Sequence, residues 1–141
     1  MKKISTLIVS LPGTWQRVLQ KNLASYPYVK VVESVNGSLS ASQLTRQHQP
    51  DLILIDSSIP LDDVIALIRI VKLESPKTRS IVIADTTQQS RQIIEAGADY
   101  TLSSYHFEAQ IREIFTQLKG SLLDVAESST ASSNLDSRTT V

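Results

Sequence analysis

Asp56 stands directly after a four-residue apolar run, Leu52-Ile53-Leu54-Ile55, and Pro60 follows four residues later. A second carboxylate, Asp85, follows a similar run, Ile81-Val82-Ile83-Ala84. Two carboxylates brought side by side either share a proton or hold a cation; kept apart by solvent they are ordinary surface acids. Ser10, after the first apolar run, offers at most a neutral oxygen beside them. The remaining inventory is restrictive. There is no cysteine, which removes disulfides, cysteine-ligated zinc, iron–sulfur clusters and thiol nucleophiles. Two histidines, His48 and His106, are too few for a histidine-built metal site, and His106 reads as a solvated loop residue. A hard cation on carboxylates is the metal chemistry that survives. No glycine-rich phosphate loop and no nucleophile–base pair stands out, which disfavours an enzyme.

The positions of these residues depend on the elements around them. Ile4–Val9 and Val29–Val35 read as strands rich in β-branched residues. Leu52–Ile55 and Ile81–Ala84 are continuous apolar runs, the pattern of strands buried on both faces of a parallel sheet. Tyr100–Leu102 is a fifth strand. Between them the spacing predicts helices over about Thr14–Ser25, from Ser40 to about His48, over Leu61–Glu74 and over Gln88–Ala96. Ser40 with Gln43 suggests a capping box, and Gly97 a helix stop. Phe107, Ile111, Ile114, Phe115 and Leu118 make a helical stripe in the last helix. Strict βα alternation implies a parallel sheet with helices on both faces. Right-handed crossovers and five strands favour the flavodoxin-like order 2-1-3-4-5, in which the ends of the first and third strands flank the ligand-binding switch point. Ser10, Leu11 and Asp56 fall there.

The stretch from Asp51 through Asp56 to Pro60 resembles the segment around the phospho-accepting aspartate of response-regulator receiver domains. Glu95-Ala96-Gly97-Ala98-Asp99 resembles that family's link from the fourth helix into the fifth strand. The resemblance covers about residues 4–119. It implies a two-component signalling context, with Asp56 at the phospho-acceptor position. It also implies where the partner groups should be. The family's metal-binding acidic pair falls on Ser10 and Leu11, its hydroxyl on Asp85, its lysine on Ser104 with Tyr105 following, and its switch aromatic on Thr101. Mg²⁺ wants hard, charged oxygens, and phosphoryl transfer depends on positioning and charge stabilisation. The resemblance therefore implies the fold, while the residues argue against phosphorylation.

The chain has 141 residues, enough for one domain with a proper core. Its 14 Lys+Arg balance its 14 Asp+Glu, so no bulk charge argues for nucleic acid or an anionic membrane. The start, Met1-Lys2-Lys3 before an apolar stretch, mimics a signal peptide faintly, but Ser5, Thr6 and Ser10 interrupt it. A cytoplasmic protein follows as the default. One boundary is visible: residues 1–120 form the body, and residues 121–141 carry six Ser and three Thr with a net acidic balance. Such a tail buries too little apolar surface to offset the cost of ordering it, and disorder is expected beyond about residue 126.

The expectation is a stand-alone atypical receiver, or pseudo-receiver, that works through protein–protein interaction without aspartyl phosphorylation, enzymatic activity or a cofactor. Its partner is another signalling protein or a second copy of the chain. The alternative is a conventional single-domain response regulator, phosphorylated on Asp56 by a histidine kinase with Mg²⁺. In the helix over Leu61–Glu74, Leu61, Val64, Ile65 and Ile68 form one stripe, and Leu67, Ile70 and Leu73 fall beside or away from it. A helix on one face of a sheet needs one stripe. Leu67, Ile70 and Leu73 are therefore the candidate partner surface.

Overall fold

The computed structural model describes residues 3–123. The tail expectation concerns residues outside this range, apart from a short π-helical turn at Lys119–Leu123. Five strands, β1 (Ile4–Val9), β2 (Val29–Val35), β3 (Leu52–Ile55), β4 (Arg79–Ile83) and β5 (Tyr100–Leu102), alternate with five helices. These are α1 (Thr14–Ala24), α2 (Ser38–His48), α3 (Leu61–Glu74), α4 (Thr87–Ala96) and α5 (Phe107–Leu118). All strand pairs are parallel, in the order β2-β1-β3-β4-β5. This is the flavodoxin-like arrangement that the alternation predicts.

The fully apolar strands have their physical reason in two cores. On one face Ile4, Ile8, Leu52, Leu54, Ile81 and Ile83 pack against α1 and α5. On the other face Leu7, Val9, Ile53, Ile55 and Val82 pack against α2, α3 and α4. Side chains alternate across a strand, so a strand covered on both sides needs apolar residues at every position. All five residues of the α5 stripe are buried, and Phe115 meets Tyr26 edge to face with ring centroids 4.9 Å apart. Trp15 packs at the rim against Phe107, at 5.6 Å. No helix among the described residues is long and apolar enough to cross a membrane.

Two local expectations are corrected. The Ser40–Gln43 capping box does not form, because α2 begins at Ser38 behind Gly37 and has no side-chain cap. The capped helix is α4, where the Thr86 hydroxyl accepts from the Gln89 amide at 3.1 Å. The second correction concerns α3: Leu67 is fully buried, with Val64, Ile68 and Val71. At 3.6 residues per turn, Leu67 lies about 60° and Val71 about 20° to one side of Val64. The buried stripe is thus centred on Val64 and Val71, and it takes in Leu67. Of the three proposed surface residues, Leu67 is core, Ile70 is half-buried and Leu73 is 83% exposed.

The Glu95–Asp99 link also has a physical basis. Gly97 ends α4 with φ 120°, a conformation L side chains rarely adopt, and a Cβ there would meet Lys72 Cε at 3.0 Å. Asp99 then accepts from the Ser80 amide at 2.8 Å, while its own amide donates to Ser80 Oγ at 3.3 Å. This reciprocal clasp aligns the start of β5 on β4. Gly97→Ala is expected to cost roughly 1–3 kcal/mol, from backbone strain and crowding of Lys72. Chemical denaturation would check it; an unchanged midpoint would contradict the assigned strain.

Candidate functional site

The register of the sheet sets what meets at its carboxyl edge. Val9 pairs with Ile55 across β1 and β3, so the next residues, Ser10 and Asp56, emerge as neighbours. The Asp56 amide donates to the Val9 carbonyl at 2.9 Å, and the Ser10 amide to the Val35 carbonyl at 2.9 Å. Both residues are completely buried.

The Asp56 carboxylate is held mainly through one oxygen. Its Oδ2 accepts from Ser58 Oγ at 2.7 Å and from Ser10 Oγ at 2.9 Å, and its Oδ1 accepts a longer bond from Ser57 Oγ at 3.4 Å. Hydroxyl bonds to an ionised acceptor are among the stronger neutral–charged contacts in proteins. Ser58 Oγ also accepts from the Leu11 amide at 3.1 Å. A continuous chain therefore runs from Leu11 N–H through the Ser58 hydroxyl to Asp56. It ties the loop after β1 to the loop after β3. Gln16 of α1 completes the loop by donating to the Ser10 carbonyl at 2.9 Å. The Leu11 side chain is 45% exposed and offers no oxygen.

The other half of the edge is knit separately. Ile83 pairs with Leu102 across β4 and β5, and the Ala84 amide donates to the Leu102 carbonyl at 2.8 Å. Asp85 and Ser104 follow these strand ends. Asp85 Oδ1 accepts both from Ser104 Oγ, at 2.8 Å, and from the Ser104 amide, at 3.1 Å. The nearby Thr86 hydroxyl is committed to capping α4. Thr101 on β5 bonds to Ser90 of α4 through their hydroxyls at 2.6 Å.

The structure thus brings Ser10 to Asp56 and Asp85 to Ser104, as two pairs with different partners. Spacing alone did not identify Ser58, which makes the shortest bond to Asp56. The signal was nonetheless present, since a serine two residues beyond an aspartate is well placed to bond back to it. The donor set suits Mg²⁺ poorly. Asp56 Oδ2 already accepts two hydroxyls, and the loop after β1 brings a serine and a leucine beside it in place of acids. Among the described residues no group of three or more His, Asp or Glu is placed to hold a metal ion. A cleft of about 240 Å³ runs from Ser58 and Ile59 beneath α3 to Gln89 and Ile93 of α4.

No protein-family model matches the chain. Among curated proteins it is similar to the C4-dicarboxylate response regulator DctR of Priestia megaterium. The two are 31% identical over 81 residues, which is 55% of this chain and 36% of that protein. It is also similar to a protein-glutamate methylesterase/protein-glutamine glutaminase of Nitratidesulfovibrio vulgaris, 26% identical over 93 residues. The match covers 66% of this chain and 25% of that enzyme, so the chain spans about a third or less of these relatives. Among solved structures, the receiver domain of a Pseudomonas aeruginosa sensor histidine kinase, with magnesium coordinated in its active-site cleft, superposes with a TM-score of 0.70. It is 21% identical, and the match covers 82% of this chain and 96% of that domain. By strand order, edge geometry and these similarities, the described body has the receiver fold of response regulators.

Proposed function

We propose that this domain is an atypical receiver that signals through surface recognition and is not phosphorylated. One observation carries the proposal: the Asp56 carboxylate is fully buried and held by the Ser10 and Ser58 hydroxyls. A phosphoryl acceptor needs a free oxygen aimed at the donor and a cation to neutralise the incoming charge. Asp56 lacks a second acid at Ser10 or Leu11 to hold that cation. The position that would present a hydroxyl carries Asp85, whose carboxylate would repel a phosphoryl group. The position that would present a lysine carries Ser104, which Asp85 occupies. In this reading Asp56 is a structural residue that anchors two loops.

Recognition then falls to the surface. Val18 is 40% exposed and Tyr105 83% exposed, and they border a groove of about 450 Å³ with Trp15 and Phe107 between α1 and α5. An apolar groove of this kind suits contact with another signalling protein or a second copy of the chain. No nucleic-acid or membrane partner, cofactor or enzymatic step is part of this reading, and a cytoplasmic setting suits it.

The conventional alternative, phosphorylation of Asp56 by a histidine kinase, is favoured by one fact: an aspartate does stand at the carboxyl end of β3. Magnesium titration separates the two. Amide resonances of residues 10–13 and 56–60 are expected to stay in place at millimolar Mg²⁺. A saturable shift centred on Asp56 would favour the conventional regulator.

A further inference from the structure

Helix α4 is the most lightly anchored helix of the described body. Ile93 alone of its residues is buried, whereas α3 buries four residues and α5 five. Ile94, next to it, is 44% exposed. Burial of apolar side chains is what gives a helix in a protein most of its stability. One residue's burial leaves α4 dependent on its remaining ties. Its ends are held by Thr86, which caps the first turn, and by Gly97, which closes the last. Its middle has one long-range side-chain bond, between Ser90 Oγ and Thr101 Oγ1 at 2.6 Å. Ser90 lies one turn before Ile93, so the hydroxyl bond and the buried isoleucine share a face of the helix.

We infer that the Ser90–Thr101 hydroxyl pair is a clasp that holds α4 closed on β5, and that its opening releases α4 as a local unit. The α4 residues Gln89 and Ile93 form one wall of the cleft whose other wall is the Ser57–Leu61 loop. Release of α4 would widen that cleft beside the Asp56 loop without disturbing the β1–β3 side. Local opening of this kind is the behaviour expected of elements with few buried apolar contacts. The clasp acts whether or not Asp56 accepts a phosphoryl group, so it does not depend on the function proposed above.

Hydrogen exchange on the full chain tests it. Thr101→Val keeps the side-chain shape and removes the hydroxyl; Ser90→Ala removes the other partner. Each is expected to lower amide protection about tenfold across residues 87–96, the effect of losing roughly one hydrogen bond's net stabilisation. Protection in β1, β3 and α5 should hold. The double variant should lose no more than either single one, because the two hydroxyls act as one bond. Additive losses, unchanged α4 protection, or equal loss throughout the sheet would each overturn the clasp.

Discussion

Incubation of the protein with acetyl phosphate and Mg²⁺ is expected to leave its intact mass unchanged. The expected effect is large because several contributions are missing together. A preorganised charge contact to a reacting group is commonly worth on the order of 3 kcal/mol in the barrier. Both acids of the metal-binding pair and the lysine are absent, their places taken by Ser10, Leu11 and Ser104. A carboxylate, Asp85, also stands where the family presents a hydroxyl. Two unit charges at about 4 Å repel by roughly 4 kcal/mol at an effective dielectric of 20. One oxygen of the acceptor, Oδ2, is already held by the Ser58 and Ser10 hydroxyls. These effects need not add, but all have the same sign. An adduct on the native chain that disappears in Asp56→Asn would overturn the pseudo-receiver reading. Ser10→Asp combined with Leu11→Asp supplies the missing acids. It is expected to produce Mg²⁺-dependent amide shifts near Asp56.

The second expected result concerns α3. Leu67→Ala should destabilise the fold by about 2–5 kcal/mol, because it removes a fully buried side chain and leaves a cavity between α3 and the sheet. Leu73→Ala, at a position 83% exposed, should change stability by no more than about 0.5 kcal/mol. Urea unfolding of both variants would check the contrast. Similar midpoints for the two would mean that the face assigned to Leu67 is wrong. Of the suggested docking residues, Leu73 is then the one available for recognition without loss of core, with the half-buried Ile70 beside it. A single exposed leucine is ordinary on a protein surface. The Trp15–Tyr105 groove is accordingly the stronger candidate for partner contact.

Much of the fold was legible in the residues because its causes are local. The double-sided burial of β3 and β4 is written as unbroken apolar runs, and α5 as a stripe at helical spacing. Strict alternation, with the handedness of crossovers, leaves few strand orders, so the neighbours at the carboxyl edge could be named in advance. The positions of Asp56, Ser10, Leu11, Asp85 and Ser104 at that edge followed from the strand ends. So did the lack of an acid at positions 10 and 11.

Only the tertiary structure decided which hydroxyl meets which carboxylate. Ser10 and Asp56 are 46 residues apart, and Asp85 and Ser104 are 19 apart. A hydrogen bond forms within a few tenths of an ångström, a tolerance that register and loop geometry decide but residue type does not. The same limit hid Ser58 as the closest partner of Asp56 and Ser90 as the partner of Thr101. Leu67 was misplaced for a related reason. A helix with apolar residues around most of its circumference has several admissible stripes. The one that is buried was selected by the strands and helices packed around α3, through Val71. Local pattern thus determined the elements and their order. Long-range geometry determined that the aspartate at the centre of the edge is locked by serine hydroxyls, which is the observation on which its proposed role depends.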